Sequence, residues 1–205
     1  MPRPRTLPAL FFTGLLAGCG AAGAGEAERI AEVLALAPGM AVADVGAGDG
    51  EWSLVLAEGV GPEGTVYATE VEEDLVAELR TLGLDNFRDN IVAVLGDERS
   101  TGLAAGCCDA ILLRMVYHHF TDPEPMRGSL LAALRPGGRI AVIDITPQSG
   151  WRELAGVPDR GGHGIEIEDL AAEMVGAGFE LEAVHPDWRS GDEDRYCVVF
   201  RKPAS

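Results

Sequence analysis

The stretch Asp44-Val45-Gly46-Ala47-Gly48-Asp49-Gly50 follows a short apolar run, Met40 to Val45, and leads into a helix-like segment, Glu51 to Glu58. A buried strand, a turn with glycines at alternate positions and a helix start together form the kind of corner at which open α/β sheets bind ligands, outside the carboxyl ends of the strands. Glycine permits positive φ and close backbone approach, and the helix start offers free N–H groups. The dinucleotide pattern G-x-G-x-x-G is not met, because the third glycine arrives one residue early and Glu51 stands where the helix-packing glycine belongs. A carboxylate there opposes a pyrophosphate. Asp44 and Asp49 make the loop still more acidic, which suits a cationic ligand better than a phosphate.

Outward from this corner the chain alternates helix-like and strand-like segments, the mark of a parallel sheet covered by helices. Ala27 to Leu36 has helical spacing and stops at Pro38-Gly39. Strands are expected at Met40 to Val45, Thr65 to Glu70, Ile91 to Leu95, Asp109 to Leu113, Arg139 to Ile145, Phe179 to Val184 and Tyr196 to Arg201. Helices are expected at Glu51 to Glu58, Glu72 to Leu82, Pro123 to Leu134 and Ile167 to Gly176, and a turn at Pro136-Gly137-Gly138. The Asp187 to Asp194 loop carries no helix signal, so the last strand cannot return parallel to its neighbour and is expected to be antiparallel. The fold class is α/β: a seven-stranded, mostly parallel sheet with helices on both faces.

Two further acids fall at strand ends. Glu70 closes the second strand at a distance typical of a ribose-binding carboxylate, and Asp97, in Gly96-Asp97-Glu98, follows the third, where a side chain can reach an adenine amino group. Three acids at the carboxyl ends of successive strands are harder to obtain by chance than one glycine loop. Val42 to Gly50, Tyr67 to Glu70, Gly96-Asp97, Cys108 to Phe120 and Leu134 to Asp144 resemble, in order and spacing, the motifs of the class I S-adenosylmethionine-dependent methyltransferases. The resemblance covers nearly everything from Glu26 onward and implies a Rossmann-like fold. It implies S-adenosyl-L-methionine as cofactor, with Gly46, Gly48 and Gly50 shaping the methionine pocket, Asp44 supporting it, Glu70 holding the ribose and Asp97 facing the adenine. The sulfonium and amino group of that ligand match the acidic loop. Tyr117-His118-His119-Phe120 followed by Asp122-Pro123 looks most like the small-molecule branch related to quinone-biosynthesis methyltransferases, which implies a small-molecule or lipid-like acceptor. Two alternatives stay open: a non-catalytic binding or scaffold protein of the same fold, and a nicotinamide-dependent oxidoreductase.

The segment after the fourth strand should line the place where donor and acceptor meet. His118 and His119 are the candidate catalytic residues there, since imidazole titrates near neutrality and can take a proton; the bland alternative is that one packs and the other caps the next helix. His163, in Gly161-Gly162-His163-Gly164, belongs either to a lid over the acceptor or to an exposed loop. No histidine lies at zinc-ligand spacing from Cys19, Cys107, Cys108 or Cys197, so no metal is expected from spacing, and the last three cysteines are read as small buried hydrophobes.

At 205 residues and a net charge of -17, the chain fits one domain whose surface repels phosphate backbones, which argues against nucleic acid as a partner. Arg3 and Arg5, the apolar Leu7 to Leu16, and Leu16-Ala17-Gly18-Cys19 have the layout of a secretory signal, and Leu-Ala-Gly-Cys resembles the lipobox of bacterial lipoproteins. The organisation expected is a signal peptide over 1–18, a flexible tether over 19–25 and a methyltransferase domain over 26–205. Membrane attachment would then run only through a lipid on Cys19, placing the chain in the cell envelope; a cytoplasmic enzyme is the alternative. Oligomeric state is not readable.

Overall fold

The computed structural model describes residues 24–149, 155–188 and 194–204. The expected signal segment and the tether as far as Gly23 lie outside them. No helix among the described residues is long and apolar enough to cross a membrane. The strands are β1 (Ala41–Val45), β2 (Thr65–Glu70), β3 (Ile91–Leu95), β4 (Cys108–Arg114), β5 (Leu134–Ile145), β6 (Glu180–His185) and β7 (Arg195–Arg201). The helices are α1 (Ala24–Leu34), α2 (Glu51–Val60), α3 (Glu73–Asp85), α4 (Pro123–Ala133) and α5 (Ile167–Gly176).

All seven strands join one sheet in the order β3-β2-β1-β4-β5-β7-β6. Pairings among β1 to β5 are parallel, and β7 lies antiparallel to both β5 and β6, as the short β6–β7 connection requires. Residues alternate across the central strands. Ala43, Val45, Ile111, Leu113, Ile140 and Val142 pack with Met126 and Leu130 of α4 and Leu170 and Met174 of α5. Val42, Ala110, Leu112, Ala141 and Ile143 pack on the other face with Ile30 and Leu34 of α1 and Leu56 and Val60 of α2. Two apolar faces explain why these strands read as continuous apolar runs, each fully buried aliphatic contributing about 1.5–3 kcal/mol.

Helix α1 and strand β5 differ from expectation for local reasons, and the other bounds differ by at most three residues. Helix α1 starts at Ala24, inside the stretch expected as tether, and ends at Leu34 because Ala35 takes a left-handed conformation, φ 51°. The turn at Pro136-Gly137-Gly138 does not precede β5 but is a bulge within it. Cys108 pairs with Leu134 and Ala110 with Arg139, so the extra residues loop out. Gly137 has φ 79°, and a Cβ on Gly138 would lie 2.9 Å from the carbonyl oxygens of Arg135 and Asp109.

Candidate active site

Strand β1 delivers Asp44 and Val45 to the carboxyl edge of the sheet, where the chain turns at once. The N–H groups of Gly46 and Ala47 both donate to the Thr69 carbonyl, at 3.0 and 3.1 Å, fastening the loop to the end of β2. Gly48 N–H donates to Glu70 Oε1 at 2.8 Å, and Glu70 Oε2 accepts from Val71 N–H at 3.0 Å. The three glycines have different tasks. A Cβ on Gly46 would lie 2.4 Å from the Val116 side chain, and one on Gly50 2.3 Å from Leu82, so both are close-packing positions. A Cβ on Gly48, whose φ is 56°, would meet nothing within 4 Å. Gly48 therefore borders open space that a ligand can take.

Asp44 is buried, and its Oδ2 accepts from the Ser53 hydroxyl of α2 at 2.7 Å. Burial pushes its carboxyl up to about 6, and the nearby Glu70 carboxylate adds to the effect against the Ser53 hydrogen bond. A buried acid hydrogen-bonded to a neutral hydroxyl, beside a second acid, is a place that a cation completes. The residues fit S-adenosyl-L-methionine on this count and on the open space at Gly48. Asp97 is exposed; its Oδ1 accepts from Arg99 N–H at 2.8 Å, and the preceding Gly96 N–H donates to the Glu70 carbonyl at 2.9 Å. Asp44, Glu70 and Asp97 thus stand at the carboxyl ends of three adjacent strands, β1, β2 and β3. Asp49 is exposed and uses Oδ1 to accept from Glu51 N–H at 3.1 Å at the start of α2.

Past the end of β4, Met115 takes φ 59°, unusual for a residue with a side chain, and the chain enters a single 3-10 turn, Tyr117–His119. His118 is buried, with Nδ1 2.6 Å from Asp144 Oδ1 near the end of β5. Asp144 is fully buried; it also accepts from the N–H groups of His118, at 3.2 Å, and Ile145, at 2.8 Å. With its oxygens accepting, the carboxylate fixes the proton on Nδ1 and leaves Nε2, 3.1 Å from His163 Nε2, as the nitrogen with the lone pair. His119 is exposed. Desolvation of its ring, with repulsion from His118 and His163, pushes it down to about 4. Neither histidine caps α4; Asp122 holds that position.

His163 is partly buried. Its segment pairs with Gln148 in both directions, at 2.9 and 3.1 Å, and its Nε2 comes 3.1 Å from His118 Nε2. Desolvation, then the His118 ring, lowers its pKa. Sequence spacing pointed to no metal ligands, yet the fold gathers three imidazoles whose ligand atoms lie within 4.8 Å of one another.

Sequence reasoning also missed two supports. The Tyr117 hydroxyl donates to Glu173 Oε2 at 2.8 Å, and that carboxylate accepts from Arg127 and Arg160 at 2.7 and 3.0 Å, tying the loop before α5 to the turn after β4. On the other face, Arg114 at the end of β4 forks onto both oxygens of Glu26 at 3.2 and 3.1 Å, and Trp188 Nε1 donates to the same carboxylate at 3.1 Å. A cavity of about 310 Å³ lined by Leu34, Met40, Asp109 and Arg139 lies at the opposite edge of the sheet and holds none of these residues.

Residues 24–184 match the family described as Methyltransferase domain. Nocamycin O-methyltransferase of Saccharothrix syringae is 30% identical over 151 residues, covering 74% of this chain and 53% of that protein. A demethylmenaquinone methyltransferase of Listeria monocytogenes serotype 4a is 25% identical over 118 residues, covering 57% and 50%. The chain spans about half the length of the curated relatives it matches. A SAM-dependent methyltransferase from Aquifex aeolicus has the same fold, with a TM-score of 0.70 and 21% identity over 85% of this chain and 88% of that one. The chain belongs to the methyltransferase domain family, whose fold implies S-adenosyl-L-methionine as the cofactor.

Proposed function

We propose that the chain is a methyltransferase that moves the methyl group of S-adenosyl-L-methionine to an oxygen or nitrogen of a small-molecule or lipid-like acceptor. The observation that carries this is the pairing of His118 with Asp144 at the ends of β4 and β5, on the same sheet edge as the acid row Asp44, Glu70 and Asp97. Transfer is an in-line displacement at a methyl already activated by its sulfonium. When bound, S-adenosyl-L-methionine would supply that methyl and keep the electron pair of the broken S–C bond on its sulfur, and the acceptor atom that takes the methyl would give up its proton to a base. Positioning and exclusion of water therefore carry most of the catalysis. His118, oriented by Asp144, or the exposed His119 takes the proton. Asp44 and Gly48 hold the methionine end, Glu70 the ribose and Asp97 the adenine.

The acceptor class is supported by the relatives named for nocamycin and demethylmenaquinone and by a charge of -17, which repels nucleic acid. We further propose that the Leu-Ala-Gly-Cys sequence directs lipidation of Cys19 and places the chain in the cell envelope. Mass spectrometry of protein from a bacterial host is expected to show loss of residues 1–18 and a lipid on Cys19; an intact Met1 in cytosolic protein contradicts this. For the activity, release of S-adenosylhomocysteine over a panel of phenolic, quinol and amine acceptors is the test. Turnover with a member of the panel is expected. Cofactor binding without turnover on any of them would make the chain a binding protein of the same fold.

A further inference from the structure

We propose that His118, His119 and His163 form a binding site for a borderline divalent cation of the zinc class, with Asp144 holding His118 from behind. One ligand atom from each imidazole falls within 4.8 Å of the others. The 3.1 Å between the Nε2 atoms of His118 and His163 is close to the separation of about 3.3 Å expected for two nitrogens bonded at about 2.0–2.1 Å to one tetrahedral ion. Three neutral nitrogen donors suit zinc and its neighbours rather than magnesium or calcium, which take oxygen.

The surroundings have the form of a built site. Asp144 accepts the Nδ1 proton of His118 at 2.6 Å, the carboxylate–histidine–metal arrangement that fixes a ligand's tautomer and orientation. His163 is held by its two-way pairing with Gln148, and the next residue, Gly164, lets the segment press on the end of β5. A Cβ there would lie 2.6 Å from the Ile145 carbonyl oxygen. Three protein ligands leave a fourth position open, as at catalytic rather than structural zinc sites, and an ion there lowers the pKa of a hydroxyl bound to it. The cluster stands past the carboxyl end of β4, on the side of the sheet where the acceptor is proposed to bind. With an ion bound, the lone pairs of His118 and His119 would be taken, and the lowered pKa of an acceptor hydroxyl at the ion would stand in for the imidazole base; that role rests on the methyl-transfer reading, whereas ion binding does not.

The experiment uses the full chain, stripped with a chelator and titrated with zinc against a chromophoric competitor, then with cobalt(II) followed by its visible spectrum. A single ion per chain is expected, with tetrahedral cobalt bands. His163→Ala and His119→Ala, both near the surface and checked for fold by circular dichroism, should each weaken binding about 100-fold or more, and Asp144→Asn about 10–100-fold. A chain with Cys107, Cys108 and Cys197 changed to serine should bind as before. Absence of stoichiometric binding, equal binding by the histidine variants, or a sulfur-to-metal band lost with the cysteines would overturn the site. Calorimetry with S-adenosyl-L-methionine on the same stripped chain separates the two readings: cofactor bound without ion uptake sinks only the metal site.

Discussion

His118 Nδ1 lies 2.6 Å from Asp144 Oδ1, and the N–H of Ile145 donates to the same oxygen at 2.8 Å. Asp144 is a positioning residue: it can act on an acceptor only through the imidazole. Asp144→Asn places an amide donor where an acceptor is needed and favours the wrong tautomer. The value of kcat should fall about 10²-fold or more, with cofactor affinity nearly unchanged. Steady-state kinetics alongside calorimetry check this, and an unchanged kcat contradicts it.

Gly48 and Gly46 should separate ligand binding from packing. Gly48→Ala meets no protein atom, so it costs only about 1–2 kcal/mol of left-handed strain, yet its methyl enters the ligand's space. The expected result is a folded chain with weakened cofactor binding. Gly46→Ala drives into Val116 and should lower the melting temperature more. Thermal unfolding with and without ligand distinguishes the two.

Asp44 makes the stability of the chain depend on pH in an uncommon direction. Its folded-state pKa, about 6, lies above its ordinary value, so its contribution is fully present below that ordinary value and is lost as pH rises through about 6. For a fully buried carboxyl this corresponds to about 3 kcal/mol. Asp44→Asn should therefore stabilise the free chain above about pH 6 and change it little in acid. The same variant should bind the cofactor more weakly. In the wild type, affinity for the cationic cofactor should rise with pH through about 6 as the carboxyl gives up its proton. Melting curves and calorimetry across this window provide the check.

Glu26 runs the other way. Burial alone would push it up, but the Arg114 guanidinium and the Trp188 N–H outweigh that and hold it below the ordinary carboxylate range. Its contribution is present above its unfolded pKa and is lost as pH falls through the lowered folded value. Glu26→Gln leaves Arg114 largely buried without its counter-charge and should destabilise by about 1–3 kcal/mol near neutral pH. The loss should shrink in acid; a constant difference across pH would contradict the ion pair.

What could be read in advance follows from how local each signal is. Strands buried on both faces appear as apolar runs, and β1, β2 and β3 end where Asp44, Glu70 and Asp97 stand, so the placing of these three acids at one edge of the sheet was legible from position alone. The glycine loop was legible as a loop, but not its division of labour: whether a glycine faces Val116, Leu82 or open space depends on segments far along the chain. His163 meets His118 across 45 residues, and Arg114 meets Glu26 across 88; no periodicity encodes such pairs. The bulge in β5 was hidden because Pro-Gly-Gly signals a turn whether or not the strand resumes its partner on both sides.

Calorimetric titration of the wild type and Glu70→Ala with S-adenosyl-L-methionine tests the cofactor site most directly. Glu70 supports Gly48 through a 2.8 Å hydrogen bond and offers its remaining lone pairs to the ribose. The wild type should bind with one-to-one stoichiometry, and Glu70→Ala about 10- to 100-fold more weakly, the loss of charge-assisted hydrogen bonds worth about 1.5–3 kcal/mol. No binding by the wild type, or equal binding by both chains, would contradict the assignment of this edge of the sheet to the methyl donor.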